Sequence, residues 1–292
     1  MLNFSKGMKI AKIITNKKKD DDFIYFYDET QNCCKDCSSK CSIKTENLCC
    51  DNCSNILIHR GKKGINDDEA FELLELPPNE KLQLMPSNMP YSHRSLLYIT
   101  GPAGVGKSWF ISNWLIQFKN MFKKNKIYLI SRKKEDPVLD PLIYKRIDPV
   151  DFIDANFVAE DFKNDKGFIN CLIFDDVDSL SSDKKNNIKG AVYALMDDVI
   201  EIGRSLGIYC VVSSHIPANA KESKRILNGA TDFIVFPRAF NKNLHYMLSE
   251  HLGLNKDNLE IIKNTKSRWA CISRQTHPNT LITENLIKSI KY

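Results

Sequence analysis

The chain has 292 residues, with 42 Lys and Arg against 36 Asp and Glu and a formal net charge of +6. Its 42% hydrophobic share suffices for a sizeable core and excludes a disordered chain; the absence of any run of about eighteen apolar residues excludes a membrane-spanning helix. A pI near 8.7 suits a polyanionic partner without identifying one.

From the N-terminus, Lys9–Ile14 and Phe23–Tyr27 read as strands, as does Asn55–His59. Met1 to Gly7 lack the apolar stretch of a secretory signal, so the chain is expected to stay in a reducing compartment and not to be secreted. That bears on the cysteines, because seven of the ten lie between Cys33 and Cys53. Cys34-x₂-Cys37 and Cys50-x₂-Cys53 form two knuckles twelve residues apart, close to the spacing of a tetrahedral structural Zn²⁺ site. Cys33, Cys41 and Cys49 are surplus, so the ligand set stays open. The N-terminal unit is placed at 1–60 and a connector at 61–94, with a short helical stretch near Ala70–Leu74 and breaks at Pro77, Pro78, Pro86 and Pro90.

A larger unit, 95–292, opens with the apolar strand Ser95–Ile99. There follow Gly101, Pro102, Ala103, Gly104, Val105, Gly106, Lys107 and Ser108, which match G-x-x-x-x-G-K-[ST] at every position. Trp109, Phe110, Trp114, Leu115 and Phe118 then recur at helical spacing. Strand, glycine loop and helix form a P-loop, whose N–H groups and helix dipole favour the phosphates of ATP. In that reading Lys107 reaches the β- and γ-phosphates, Ser108 ligates Mg²⁺, and Trp109 ends the nucleotide-binding segment.

A P-loop needs a carboxylate at the end of a second buried strand, and Cys171–Phe174 followed by Asp175 and Asp176 supplies it. Asp175 is placed to hold Mg²⁺ through water and Asp176 to orient the attacking water. Asp178 is an alternative base, although a solvated loop or helix cap is the favoured reading for it and for Asp183. A helix over Asn186–Ser205 leads to the strand Ile208–Val212, ending in Ser213, Ser214 and His215. There Ser214 and His215 would sense the γ-phosphate or position water. Beyond lie a helix at Ala220–Asn228, a strand at Asp232–Phe236, helical stretches at Leu244–Leu252 and Asp257–Asn264, a strand at Arg268–Ile272 and a last one near Thr280–Ile282. Cys171, Cys210 and Cys271 sit in apolar runs and read as core. Lysine clusters at Lys17–Lys19, Lys123–Lys126, Arg132–Lys134 and Lys184–Lys185 read first as solvated faces.

Four further segments carry a resemblance. They are Ile127–Asp136, Gly203–Ile208 leading into Ser213-Ser214-His215, Arg225–Ala230 followed by Phe236-Pro237, and Lys266–Trp269 ahead of Pro278. With the P-loop, they make the chain resemble the poxvirus-type genome-packaging ATPases of large DNA viruses and virophages, in the FtsK–HerA superfamily. The resemblance implies an α/β P-loop NTPase fold of the ASCE, RecA-like type, with a mainly parallel sheet flanked by helices and a small β/Cys-rich module in front. It implies a ring, pentameric or hexameric, that uses ATP to pump double-stranded DNA into a preformed capsid. A capsid-protein partner follows, with location in the host cytoplasm or viral factory and in the virion. A neighbour's guanidinium would complete each site, with Arg225 the first candidate and Arg204 and Arg268 the alternatives. Asp176 departs from the Glu of cellular relatives, His215 from their Gln, and the cysteine knuckle lies outside the common core. A helicase-loader-type ATPase, a non-hydrolysing nucleotide switch with a zinc interaction module, and a small-molecule kinase are the other readings of the same residues.

Overall fold

A computed structural model describes residues 2–4, 7–15, 22–27, 72–164, 166–180, 187–218 and 223–290. The zinc ligands expected at Cys34, Cys37, Cys50 and Cys53, the strand expected at Asn55–His59, and Asp183 all lie outside them. Among the described residues no helix is long and apolar enough to cross a membrane.

The chain begins with β1 (Leu2–Asn3), β2 (Met8–Thr15) and β3 (Asp22–Phe26). Next come β4 (Leu73–Glu75) and β5 (Glu80–Leu84). Leu73 and Leu74 are thus strand where a helix was expected, and alternation in Glu80–Leu84 makes a strand between the proline breaks. β5 joins β1–β3 in an antiparallel sheet of order β1-β3-β2-β5.

The second sheet has ten strands and carries the larger unit. β6 (Leu96–Thr100) leads through the glycine loop into α1 (Lys107–Met121), followed by β7 (Ile127–Ser131), β8 (Lys145–Ile147) and β9 (Asn170–Asp175). Then come α2 (Ile188–Ile202), β10 (Ile208–Ser214), α3 (Lys224–Gly229) and β11 (Asp232–Val235). The chain continues through α4 (Lys242–Tyr246), a π-helical turn at Met247–His251 and α5 (Lys256–Asn264). It ends with β12 (Ala270–Ser273), β13 (Asn279–Thr283) and β14 (Leu286–Ile290). The final strand expected near Thr280–Ile282 is therefore followed by another, β14, on which β4 pairs.

The sheet order is β4-β14-β13-β12-β11-β6-β10-β9-β7-β8. The six strands from β11 to β8 are parallel and the remainder antiparallel. β10 lies between the glycine-loop strand β6 and the aspartate strand β9, so the polar ends of all three meet at one edge of the sheet.

Alternation along β6 divides the core. Leu96 and Tyr98 join α2 residues Val192, Leu195, Met196 and Val199 on one face. Leu97 and Ile99 join Phe110, Trp114 and Phe118 of α1 on the other. That second face is closed by the small sheet, whose Met8, Ile10, Ile24, Leu82 and Leu84 share its core, so α1 is sandwiched between two sheets. Cys171, Cys210 and Cys271 are fully buried, as their apolar surroundings predict, and burial pushes the Cys210 thiol up to about 12.

Arg94, itself buried, ties α2 to the sheet. Its guanidinium donates to the carbonyls of Val199 (2.7 Å), Ile200 (3.0 Å) and Ile208 (2.9 Å), placing a cation at the negative end of the helix.

Candidate active site

The glycine loop has the backbone its sequence requires. Gly104 and Gly106 have φ of +75° and +112°, values that side-chain-bearing residues rarely adopt. α1 starts at Lys107 with no acidic residue in its first turn, and among the described residues no side chain caps it. Its leading N–H groups and dipole are therefore left for an anion. Phe110, Trp114, Leu115 and Phe118 are buried and hold the helix against the sheet, whereas Trp109 turns outward and is 40% exposed.

Lys107 is buried and makes three polar contacts. Its ammonium donates to the Gly101 carbonyl at 2.8 Å, approaches Nδ1 of His215 at 2.9 Å, and pairs with Oδ1 of Asp176 at 3.3 Å. An ammonium has only donors, so Nδ1 of His215 accepts and its proton sits on Nε2, which lies 3.0 Å from Oδ2 of Asp176. Lysine, histidine and aspartate thus close a ring of contacts beside the loop.

Asp175 ends β9 and Asp176 follows it; they share Lys133 and Ser213 but differ in their other partners. Asp175 is buried and accepts from Ser131 Oγ (3.0 Å), Ser213 Oγ (2.7 Å) and Lys133 Nζ (3.1 Å). Asp176 adopts a left-handed φ of +51°, a conformation its short polar side chain tolerates, and so turns its carboxylate toward Lys107. Its own N–H donates to Ser213 Oγ at 3.0 Å. Lys133 lies 3.5 Å from Asp176 as well. Burial alone would pull the Lys133 ammonium down, but Asp175, with Asp176 and Asp136, outweighs it and holds the group above its ordinary value.

Three side chains of the β7 segment and one of β10 went unrecognised as individuals in the sequence. Ser131 and Lys133 bind Asp175, and Ser213 bridges both aspartates. Asp136 accepts from the Ser108 hydroxyl at 3.1 Å and caps its own turn through the N–H groups of Val138 and Leu139. Their usable signal is position: each follows or ends a parallel strand beside β6 or β9, where side chains converge on the crevice.

Asp178 corrects the sequence reading. It is not a solvated cap: its Oδ2 accepts from Ser214 Oγ at 2.9 Å and from the His215 N–H at 3.0 Å. The turn at Asp176 folds the chain back so that Asp178 meets the end of β10. Ser214 therefore faces Asp178, while His215 faces Lys107 and Asp176. The Tyr98 hydroxyl supports this loop from below by donating to the carbonyls of Ile216 and Pro217 at 3.0 and 3.1 Å.

The candidate arginines stand outside this cluster of lysine, histidine and aspartates. Arg225 projects from α3 and pairs with Asp197 (2.8 Å) and Glu201 (3.6 Å) of α2, with a side chain 62% exposed. Arg268 is fixed beside the loop, paired with Glu284 at 2.7 Å and lying 3.8 Å over the Trp109 ring.

The donor set fits a hard cation. Ser108, Asp175, Asp176 and Asp136 offer only oxygen, and among the described residues no group of three or more His, Cys, Asp or Glu is arranged as a metal cage. Mg²⁺ is commonly held by one or two carboxylates completed by phosphate oxygens and water, and needs no such cage.

No family model matches the chain. Among solved structures it is similar to the DNA-packaging ATPase from Sulfolobus turreted icosahedral virus, with a TM-score of 0.47 and 14% identity over 65% of this chain and 97% of that one. It is also similar to the genome packaging NTPase from Sulfolobus turreted icosahedral virus 2 in complex with ATP-γ-S, with a TM-score of 0.44 and 14% identity over 65% of this chain and 96% of that one. Sequence comparison reaches further: 235 residues, 79% of this chain and 91% of the relative, are 32% identical to uncharacterized protein V3 of Sputnik virophage. By that extent of identity, the chain belongs to the family of the Sputnik virophage protein V3.

Proposed function

We propose that this protein is an ATPase that drives double-stranded DNA into a preformed viral capsid. The observation that carries the catalytic half is the convergence of Lys107, Asp175, Asp176 and His215 on an uncapped helix N-terminus behind a glycine loop. The packaging half is supported by the four family-like segments.

In this reading the loop N–H groups and α1 bind the phosphates, and Lys107 leaves Asp176 for the γ-phosphate oxygens. Ser108 and Asp175 would hold Mg²⁺, which supplies charge neutralisation at the β- and γ-phosphates. Asp176, released from Lys107, accepts a proton from the attacking water, and His215 Nε2–H steadies the carboxylate. Ser213 and Ser131 keep Asp175 in place. Subunits form a ring, pentameric or hexameric, in which the exposed Arg225 of one copy reaches the γ-phosphate of the next. DNA is gripped through its phosphates, with little sequence preference.

The test is steady-state ATP hydrolysis with and without long duplex DNA, at low and moderate salt, with Lys107→Ala as the blank. The expected result is turnover stimulated by DNA, fading with salt and lost in the variant. Turnover that DNA leaves unchanged in the assembled ring removes the packaging half, and nucleotide binding without turnover in that ring removes the ATPase.

A further inference from the structure

We infer that Trp109, Arg268 and Phe236 form the nucleobase platform of this site, a pocket on the opposite side of the glycine loop from the aspartates. The inference rests on the nucleotide-binding reading above and adds what holds the other end of the ligand.

The sheet order decides the direction. β6 carries the loop; on one side it pairs with β10, beyond which lies β9, and on the other with β11. Lys133, Asp175, Asp176 and His215 all come from the β10 side, so the terminal phosphate points there. A nucleotide laid along the loop must leave on the β11 side. A cavity of about 140 Å³ lies there, lined by Val105 and Gly106 of the loop itself, Trp109 of α1, Phe236 just beyond β11, and Arg268 and Trp269 before β12.

Its walls suit a flat aromatic group. Phe236 and Trp269 are buried, and Phe236 packs so closely under Gly101 that a Cβ there would meet its ring at 3.0 Å. The Trp109 indole is 40% exposed, unlike the apolar side chains α1 buries. Arg268 Cζ lies over that indole, 3.8 Å from its centroid and within cation–π range. It is held in place: Nε and Nη2 contact Glu284 Oε1 at 2.8 and 2.7 Å, and its backbone N–H donates to Oε2 at 2.7 Å. A guanidinium so anchored offers a rigid plane on which a base stacks, and Arg238 adds a second cation to the lining. This places Arg268 in the site of its own subunit, not as a finger lent to a neighbour.

The test is calorimetric titration of ATP and of inorganic tripolyphosphate, each with Mg²⁺, into wild type, Trp109→Ala, Trp109→Phe and Lys107→Ala, all checked for folding by circular dichroism. Wild type is expected to bind ATP about ten-fold or more tighter than tripolyphosphate, the range that stacking on an aromatic supplies. Trp109→Ala should erase most of that advantage while tripolyphosphate affinity stays within about two-fold, and Trp109→Phe should keep most of it. Lys107→Ala should weaken both ligands together. An ATP advantage that survives Trp109→Ala overturns the platform and leaves nucleotide binding standing. Failure of both ligands to bind wild type overturns the nucleotide reading, and the platform with it.

Discussion

The two sides of the glycine loop are built from opposite materials. Toward β10 and β9 stand charged side chains, two lysines and the aspartates, each cross-linked at about 3 Å. Toward β11 stand rings, Phe236, Trp269 and Trp109, with Arg268 laid over the last. The same strand, β6, feeds both, so the difference comes from its neighbours: β10 ends in serines, whereas β11 runs out into Phe236-Pro237. A loop that only holds a cation-bound phosphate needs the first side; a loop that also recognises what the phosphate is attached to needs the second.

Lys107→Ala should break the charged side most severely. It removes the cation at the phosphates and leaves Asp176 without that partner, and turnover should fall by about 10²–10³-fold. Asp176→Asn should lower kcat by about a hundred-fold with nucleotide affinity changed only a few-fold, because it touches the reaction more than the binding. Titration of kcat and KM separates the two variants. Asp136→Ala should leave the maximal rate within reach but raise the Mg²⁺ concentration for half-maximal activity by about ten-fold, since Ser108 loses its orienting acceptor.

The aromatic side should respond to acid as well as to substrate. Burial pushes the Glu284 carboxyl up, but the side chain and backbone N–H of Arg268 outweigh it and hold the group below its ordinary 4.5. A carboxyl lowered by folding stabilises the fold above its unfolded pKa and loses that contribution as pH falls through the folded value. Glu284→Gln should therefore cost a few degrees of Tm at neutral pH, with the gap to wild type closing below about pH 4.5. A gap that stays open in acid would mean that Glu284 acts through shape and not through charge.

Much of the charged side was legible because its chemistry demands fixed residue types at fixed spacing. Lys107, Ser108, Asp175 and Asp176 are found by pattern, and the parallel strands carrying them are continuous apolar runs. Ser131, Lys133, Asp136 and Ser213 were not legible as individuals, because serines and lysines after strands are common and only the pairing of β7, β9 and β10 brings these together. Asp178 misled because the left-handed turn at Asp176, which redirects it, leaves no mark in the sequence. Trp109 fell into the helical hydrophobic pattern although it faces outward. At the other end of the sheet, β4 and β14 are too short or too polar for their alternation to stand out, and β4 lies in a stretch whose composition favours helix.

Asp136 and Asp178 also set a thermodynamic condition. With Asp175 and Asp176 they make four carboxylates on the β10 side of the loop, where Lys107, Lys133 and the exposed Arg132 at the rim leave them in the majority. A bare polyphosphate therefore approaches a floor of its own sign, and nucleotide binding should be linked to uptake of a divalent cation. The linkage has a simple readout: ATP with Mg²⁺ should raise the melting temperature with ligand concentration, whereas ATP with a chelator should raise it far less.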